Sequence, residues 1–104
     1  MTRHAFKMKL KTGVVAEYKR RHDEIWPALS KELRDAGVSD YSIFLDEETL
    51  TLFAVQKLSE TNTAAGLPQT AVVQKWWAYM APLMEVNPDH SPVCVNLPEV
   101  FHLA

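Results

Sequence analysis

The sequence has few of the features that mark disulfide-rich, membrane or nucleic-acid-binding proteins. It contains one cysteine in 104 residues, so no disulfide can form within the chain. It has no apolar run long enough to span a bilayer, and its first residues lack the apolar core of a signal peptide. Its formal net charge of −2 gives no attraction to nucleic acid or to an anionic membrane. We therefore expect a cytoplasmic protein that binds neither.

The motifs of metal and cofactor chemistry are also missing. There is no glycine-rich phosphate loop, and none of the four histidines has zinc-site spacing. Cys94 has no second cysteine with which to share a metal. The acidic pairs Asp23-Glu24 and Glu47-Glu48 fall in segments that we expect to be exposed, where the raised pKa of a glycosidase acid does not arise. What is left is acid–base chemistry by histidine, without metal or cofactor.

The composition is that of one small globular domain. Of the residues, 47% are hydrophobic and 23% are charged, which is ordinary for a folded protein. A chain of this length has a modest single core. We therefore expect residues 1–104 to form one domain.

Hydrophobic periodicity and turn residues predict the order of the elements. A helix interrupted at Pro27 separates the first strand from a hairpin, and a second helix begins near Thr70 and ends near Pro82. The predicted strands cover 3–10, 40–45, 50–58 and part of 93–104, and residues 61–70 are predicted to be a loop. This βαββαβ order is a ferredoxin-like α+β fold, with helices on one face of an antiparallel sheet.

The two hairpin strands are apolar on both of their faces. Two helices can cover only one face of a sheet, so the other needs a second partner. In so short a chain the simplest partner is a second copy, and we expect a homodimer. The side chains of one face are Tyr41, Ile43, Leu45, Leu50, Leu52 and Ala54, and those of the other are Phe44, Phe53 and Val55.

A histidine occupies an apolar stripe in the segment YKRRHDEIWP, residues 18–27. In a helix Val15, Tyr18, His22 and Ile25 share one face, whereas the charged residues lie elsewhere and can pair four positions apart. His22 has no charged partner in this pattern. It is either a hydrogen-bonded core residue or a functional acid–base group.

The adjacent tryptophans Trp76 and Trp77 are the second unusual feature. Neighbouring helix residues point about 100° apart, so one ring can face a cleft while the other packs in the core. A tryptophan ring is a suitable surface for the apolar face of a sugar. Together with His22 and the hydroxyls of Tyr18 and Tyr41, such a ring would form a small-molecule pocket, although each residue alone is compatible with simple packing.

These segments together resemble the L-rhamnose mutarotases, which are small cytoplasmic sugar epimerases. The resemblance covers nearly the whole chain and rests on YKRRHDEIWP, DYSIFLD, QKWWAYM, NPDHSP and EVFHLA. It implies a dimeric α+β barrel that interconverts the α and β anomers of L-rhamnose. It further implies that His22 is the catalytic proton donor and that Tyr18, Tyr41, Trp76 and Trp77 contact the sugar.

Two other functions are compatible with the expected fold. Dimeric α+β barrels also include haem-degrading and cofactor-free monooxygenases, and a non-catalytic ligand-binding module is a third reading, since a fold does not determine a function. In the mutarotase reading one proton reaches the ring oxygen and another leaves the anomeric hydroxyl. A histidine exchanges protons at neutral pH, and either water or a tyrosine handles the second proton.

Overall fold

Four strands form a single antiparallel sheet in the computed structural model, which describes all residues from Met1 to Ala104. The strands are β1 (Thr2–Lys9), β2 (Val38–Asp46), β3 (Thr51–Leu58) and β4 (Val95–Leu97). Their spatial order is β2-β3-β1-β4, and every neighbouring pair is antiparallel. The expected α+β class with an antiparallel sheet is confirmed.

Three α-helices connect these strands: α1 (Val15–Asp23), α2 (Pro27–Asp35) and α3 (Ala71–Met80). The predicted interruption at Pro27 separates α1 from α2. Trp26 is extended, with φ −61° and ψ 130°, because a residue before proline avoids helical geometry. No helix has the length and apolar content that crossing a membrane requires.

The exposed side of α1 carries the predicted ion pairs. The three pairs are Glu17–Arg21 at 2.6 Å, Lys19–Asp23 at 2.7 Å and Arg20–Glu24 at 2.7 Å. Hydrogen bonds from Arg20 and Arg21 lower the pKa of Glu17 to about 2. The charged side of α1 therefore faces solvent, which leaves Tyr18 and His22 on the inner side.

The two faces of the sheet have the side chains that the alternation predicted. Met8, Leu52 and Ala54 are buried beneath the helices, in one cluster with Leu29 of α2 and Val73 of α3. On the opposite face Phe44 and Phe53 are paired across β2 and β3 and are 64% and 38% exposed. The core thus lies between the helices and one face of the sheet.

Several predicted details were wrong. The segment predicted as a loop contains a short 3₁₀-helix over Ala64–Gln69, too short to produce a hydrophobic period. Thr70 precedes α3 as expected, but its hydroxyl donates to the Leu67 carbonyl at 2.7 Å instead of capping the helix. Strand β1 has the predicted length but begins and ends one residue earlier, β3 is shorter by one residue than predicted, and β2 is longer.

The end of α3 lies near Pro82, as predicted. The helix stops at Met80 and tightens into a 3₁₀ turn over Ala81–Leu83, which contains Pro82. Met84, just after this turn, forms an antiparallel bridge with Leu10, which extends the core beyond the end of β1.

Candidate functional site

A cleft of about 1090 Å³ opens between the helices and the inner face of the sheet, and core residues line part of it. All five site residues predicted from the sequence line this cleft: Tyr18 and His22 of α1, Trp76 and Trp77 of α3, and Tyr41 of β2. Its volume is slightly above the usual range for small-molecule sites. The cleft is therefore large enough for a small ligand.

His22 is half-buried in the helical wall of the cleft, one turn after Tyr18. Its Nδ1 lies 3.2 Å from the Tyr18 carbonyl oxygen. A carbonyl oxygen only accepts, so Nδ1 carries the hydrogen and donates it, and Nε2 of the neutral ring has a free lone pair. Burial lowers the pKa of His22 below its ordinary value of 6.5, although the Tyr18 carbonyl and Asp23 act in the opposite direction. His22 is therefore neutral at pH 7.

Three polar groups of the helical wall have no hydrogen-bond partner in the chain. They are His22 Nε2, the Tyr18 hydroxyl and the Trp76 indole N–H. Every fully buried polar side-chain atom in the structure has a hydrogen-bond partner, so these three unpaired groups are in contact with solvent. Buried polar groups are normally paired within the protein. These three are instead free to bind a ligand with oxygen atoms.

The rings of Tyr18, His22 and Trp76 are in contact. The Tyr18 and His22 rings lie 4.3 Å apart with an interplanar angle of 30°, and His22 meets Trp76 edge-on at 5.3 Å and 84°. Tyr18 is only 7% exposed, and burial raises its pKa well above the usual range. Its hydroxyl thus stays protonated and can donate a hydrogen bond.

An irregularity in β2 lets Val38 and Tyr41 lie on the same face of the sheet, although they are three residues apart. Ser39 pairs with Lys57 and Ser42 with Val55, so Asp40 and Tyr41 together oppose Gln56. Such a β-bulge redirects a side chain. Asp40 has a φ of 46°, which the extra residue requires.

The ring of Tyr41 points towards Phe6 on the inner face, the face that it shares with Ile43 and Leu45, with 6.3 Å between the centroids. Burial raises the pKa of Tyr41 well above its usual range. The residue as a whole is nevertheless 38% exposed. The Tyr41 side chain therefore lines the inner wall of the cleft and reaches solvent through the open side of the cleft.

The two adjacent tryptophans have different environments. Trp76 is 8% exposed and belongs to the core cluster, whereas Trp77 is half-buried and packs against the edge of that cluster. Trp76 also contacts the Trp26 ring edge-on at 5.1 Å and the Tyr79 ring at 5.7 Å. Trp77 has no such ring contact.

Two aromatic residues behind Trp76 were not nominated from the sequence. Trp26 and Tyr79 lie 5.4 Å apart, and the Arg21 guanidinium lies 4.2 Å from the centre of the Tyr79 ring. Arg21 also donates to the Tyr79 carbonyl. These contacts fix the position of Trp76 and, through its edge, that of His22. The only signal in the sequence was the spacing of Trp76 and Tyr79 on α3.

The loop NPDHSP is adjacent to the cleft. The Asp89 carboxylate accepts from the Ser91 backbone N–H at 3.0 Å, and Val86 bridges to Pro92, so the loop is held as a turn by its own side chains and backbone. His90 and Pro92 line the cleft.

No three histidine, cysteine or acidic side chains are arranged to hold a metal ion.

The sheet wall also has polar side chains that the sequence did not nominate. His4, Gln56 and Asn96 line the cleft on the inner face of β1, β3 and β4. Their only signal in the sequence was the alternation that put His4 on the same face as Phe6.

Comparison with known proteins gives a consistent result. A sequence model of the family described as L-rhamnose mutarotase matches residues 3–103. A relative named L-rhamnose mutarotase from Bacteroides thetaiotaomicron is 57% identical and covers 99% of each chain. One with the same name from Rhizobium johnstonii is 56% identical over 99% of this chain and 97% of its own. The crystal structure of an L-rhamnose mutarotase from Formosa agariphila superposes with a TM-score of 0.93 at 53% identity, over 100% of both chains.

Proposed function

Because this chain belongs to the L-rhamnose mutarotase family, we propose that its cleft binds L-rhamnose and that His22 moves the proton of the anomeric hydroxyl. The chain is an isomerase that interconverts the α and β pyranose anomers of this sugar. The observation that supports the site most directly is the set of unpartnered polar groups on the helical wall, His22 Nε2 among them.

His22 is suited to act first as a base. Its pKa is lowered by burial, so at neutral pH Nε2 has a lone pair that accepts the proton of the anomeric hydroxyl. As this proton leaves, the bond between the anomeric carbon and the ring oxygen breaks, the ring oxygen gains a proton, and an aldehyde forms. The Nδ1 hydrogen bond to the Tyr18 carbonyl keeps the ring oriented and stabilises the imidazolium that results.

Ring closure reverses these transfers. After rotation about the bond next to the aldehyde, the sugar hydroxyl attacks the other face of the carbonyl carbon and loses its proton. The imidazolium of His22 returns its proton to the carbonyl oxygen, so that the anomeric hydroxyl is restored with the opposite configuration. His22 is thus the proton donor of this half of the reaction, as the resemblance implied.

The two tyrosines are suited to donate hydrogen bonds. The pKa of both is raised by burial, so neither phenol ionises readily. We assign Tyr18 and Tyr41 to hold oxygen atoms of the sugar from opposite walls of the cleft. The proton at the ring oxygen then comes from water or through a tyrosine hydroxyl hydrogen-bonded to it.

The tryptophans supply the apolar surface of the site. Trp77 is the half-buried member of the pair, and we assign its ring to the apolar face of the sugar. Trp76 supports His22 edge-on, and its free indole N–H is available to a sugar oxygen. A 6-deoxy sugar such as L-rhamnose suits a cleft in which aromatic rings outnumber charges.

We further propose that the unit is ferredoxin-like and that two copies pack sheet to sheet as a dimeric α+β barrel. The antiparallel order β2-β3-β1-β4 supports the first point. The exposed outer face with Phe44 and Phe53 supports the second, because a monomer rarely leaves such a patch open to water. A cytoplasmic location remains a prediction from the sequence.

The direct test is the rate of anomer exchange. Saturation-transfer NMR of L-rhamnose at neutral pH, with and without the protein, is expected to show faster exchange between the α and β signals in its presence. A panel of other aldoses gives the specificity. Exchange of L-rhamnose at the uncatalysed rate, with folded protein at micromolar concentration, would exclude the proposed activity.

A further inference from the structure

Three polar side chains form a hydrogen-bonded row across the sheet wall of the cleft. Gln56 Nε2 lies 2.9 Å from His4 Nδ1, and His4 Nε2 lies 3.2 Å from Asn96 Oδ1. The pairing of the strands explains this row, since His4 is directly opposite Gln56 and Asn96 is opposite the nearby Phe6. The rest of this face consists of apolar side chains such as Met8, Leu52 and Ala54.

The hydrogen bonds of the row leave one atom of each side-chain amide without a partner. The Gln56 amide donates to Nδ1 of His4, so Nε2 carries the ring hydrogen and donates to the Asn96 carbonyl oxygen. Both nitrogens of His4 are thus occupied. The Gln56 Oε1 acceptor and the Asn96 Nδ2 donor have no partner in the chain, and neither is sealed from solvent.

The row is close to the groups already assigned to the sugar. The bulge in β2 puts Tyr41 opposite Gln56, and Phe6 contacts both the Tyr41 ring and the His4 ring, at 6.3 and 5.2 Å. The row lines the sheet wall, whereas His22 lines the helical wall of the same cleft. A sugar that binds between the two walls with its anomeric carbon at His22 can therefore present its other hydroxyls to the row.

We propose that Gln56 and Asn96 bind sugar hydroxyls remote from the anomeric carbon, and that His4 is the positioning residue that orients both amides. A hydroxyl donates to Gln56 Oε1 and another accepts from Asn96 Nδ2, which is how side-chain amides recognise a polyhydroxylated ligand. His4 needs no contact with the sugar, because its two nitrogens are bonded to the amides. This inference rests on the proposed function of the cleft.

The test compares KM with kcat for anomer exchange of L-rhamnose. In Gln56→Leu and Asn96→Ala we expect KM to rise about five- to tenfold, the usual loss for one hydrogen bond, with kcat changed by less than about twofold. This split distinguishes binding from catalysis, because the contacted hydroxyls do not react. Binding of L-rhamnose, followed by ligand-observed NMR, is expected to weaken by the same factor.

Two further variants test the role of His4. His4→Phe removes both hydrogen bonds and is expected to raise KM, whereas His4→Gln keeps one donor and one acceptor and should recover part of the affinity. Because His4 acts through Asn96, the double variant His4→Phe with Asn96→Ala should raise KM by less than the product of the single effects. Gln74→Leu on the surface of α3 and His102→Phe near the C-terminus are matched controls, and neither residue lines the cleft.

The outcomes separate this inference from the proposed function. If the wild-type protein neither binds L-rhamnose nor exchanges its anomers, the proposed function is wrong, and so is the proposed binding of sugar hydroxyls by the row. If the wild-type protein is active and Asn96→Ala keeps the wild-type KM, only the row is wrong. Should the changes at Gln56 or His4 prevent folding, Asn96 decides, because its side chain is exposed on the three-residue strand β4.

Discussion

Replacement of His22 by leucine separates a catalytic histidine from one that only packs. The change removes the hydrogen bond from Nδ1 to the Tyr18 carbonyl, worth about 0.5–1.5 kcal/mol. That carbonyl lies in α1 and also accepts the backbone N–H four residues later, so it does not lose every partner. The leucine side chain gains about 1 kcal/mol from its partial burial. The two terms nearly cancel.

We therefore expect His22→Leu to change the free energy of unfolding by less than about 1 kcal/mol in either direction. In urea this shifts the midpoint by less than about 1 M. The same change should slow anomer exchange by about 10²-fold or more, which is the contribution of a general acid–base group. The increase in the activation barrier is then about 3 kcal/mol or more.

The assay measures both quantities on the same purified variant. Urea unfolding is followed by tryptophan fluorescence, and the exchange rate of L-rhamnose is measured at pH 7 per folded molecule. His102→Leu is the matched control, because His102 is exposed and outside the cleft. A His22→Leu protein that loses about 3 kcal/mol of stability but exchanges anomers at the normal rate would refute the catalytic role.

Four further predictions concern the two tryptophans, the protonation of His22 and the outer face of the sheet. Trp76→Ala should destabilise the protein by about 3–5 kcal/mol because the ring is buried, whereas Trp77→Ala should chiefly weaken sugar binding; equal losses of stability with unchanged affinity, from urea unfolding and NMR titration, would contradict this division. Catalysed exchange should decline as the pH falls through the lowered pKa of His22, with a midpoint below 6.5, and a rate that rises on acidification would show that the protonated ring starts the reaction. Because the pKa of His22 is lower in the folded chain than in the unfolded chain, protonation of His22 favours unfolding. The wild type should therefore lose stability relative to His22→Leu only as the pH falls below 6.5. Urea midpoints of both proteins at pH 5 and pH 7 measure this difference. Phe53→Lys should convert a dimer of 11.8 kDa chains into monomers by light scattering, while Gln74→Lys on the surface of α3 should not; a wild-type protein that is already monomeric at micromolar concentration would disprove the interface.

Local patterns predicted the order of the main helices and strands and which strand residues share a face. The alternation in β3 predicted that Leu52 and Ala54 share one face and that Phe53 lies on the other, because successive strand residues point to opposite sides, and the structure buries the first face. The break before Pro27 was predictable for the same kind of reason, since it depends on the backbone of two adjacent residues. The resemblance across the whole chain then correctly indicated the family.

Contacts between distant segments decided the properties of the site. The low pKa of His22 results from burial, which depends on how α1 packs over the sheet, and the bulge that puts both Val38 and Tyr41 on the inner face arises in the pairing of β2 with β3. The difference in burial between Trp76 and its neighbour comes from the packing of Trp76 against Trp26, fifty residues earlier.

The row of Gln56, His4 and Asn96 is the clearest case of what the sequence alone did not determine. Its members come from three strands that are far apart along the chain, and none belongs to a recognisable motif. The register of the sheet brings them together, and register is a property of strand pairing that no local period encodes. Sequence periodicity determined which face of β1 holds His4, and only the tertiary structure decided which polar groups meet it there.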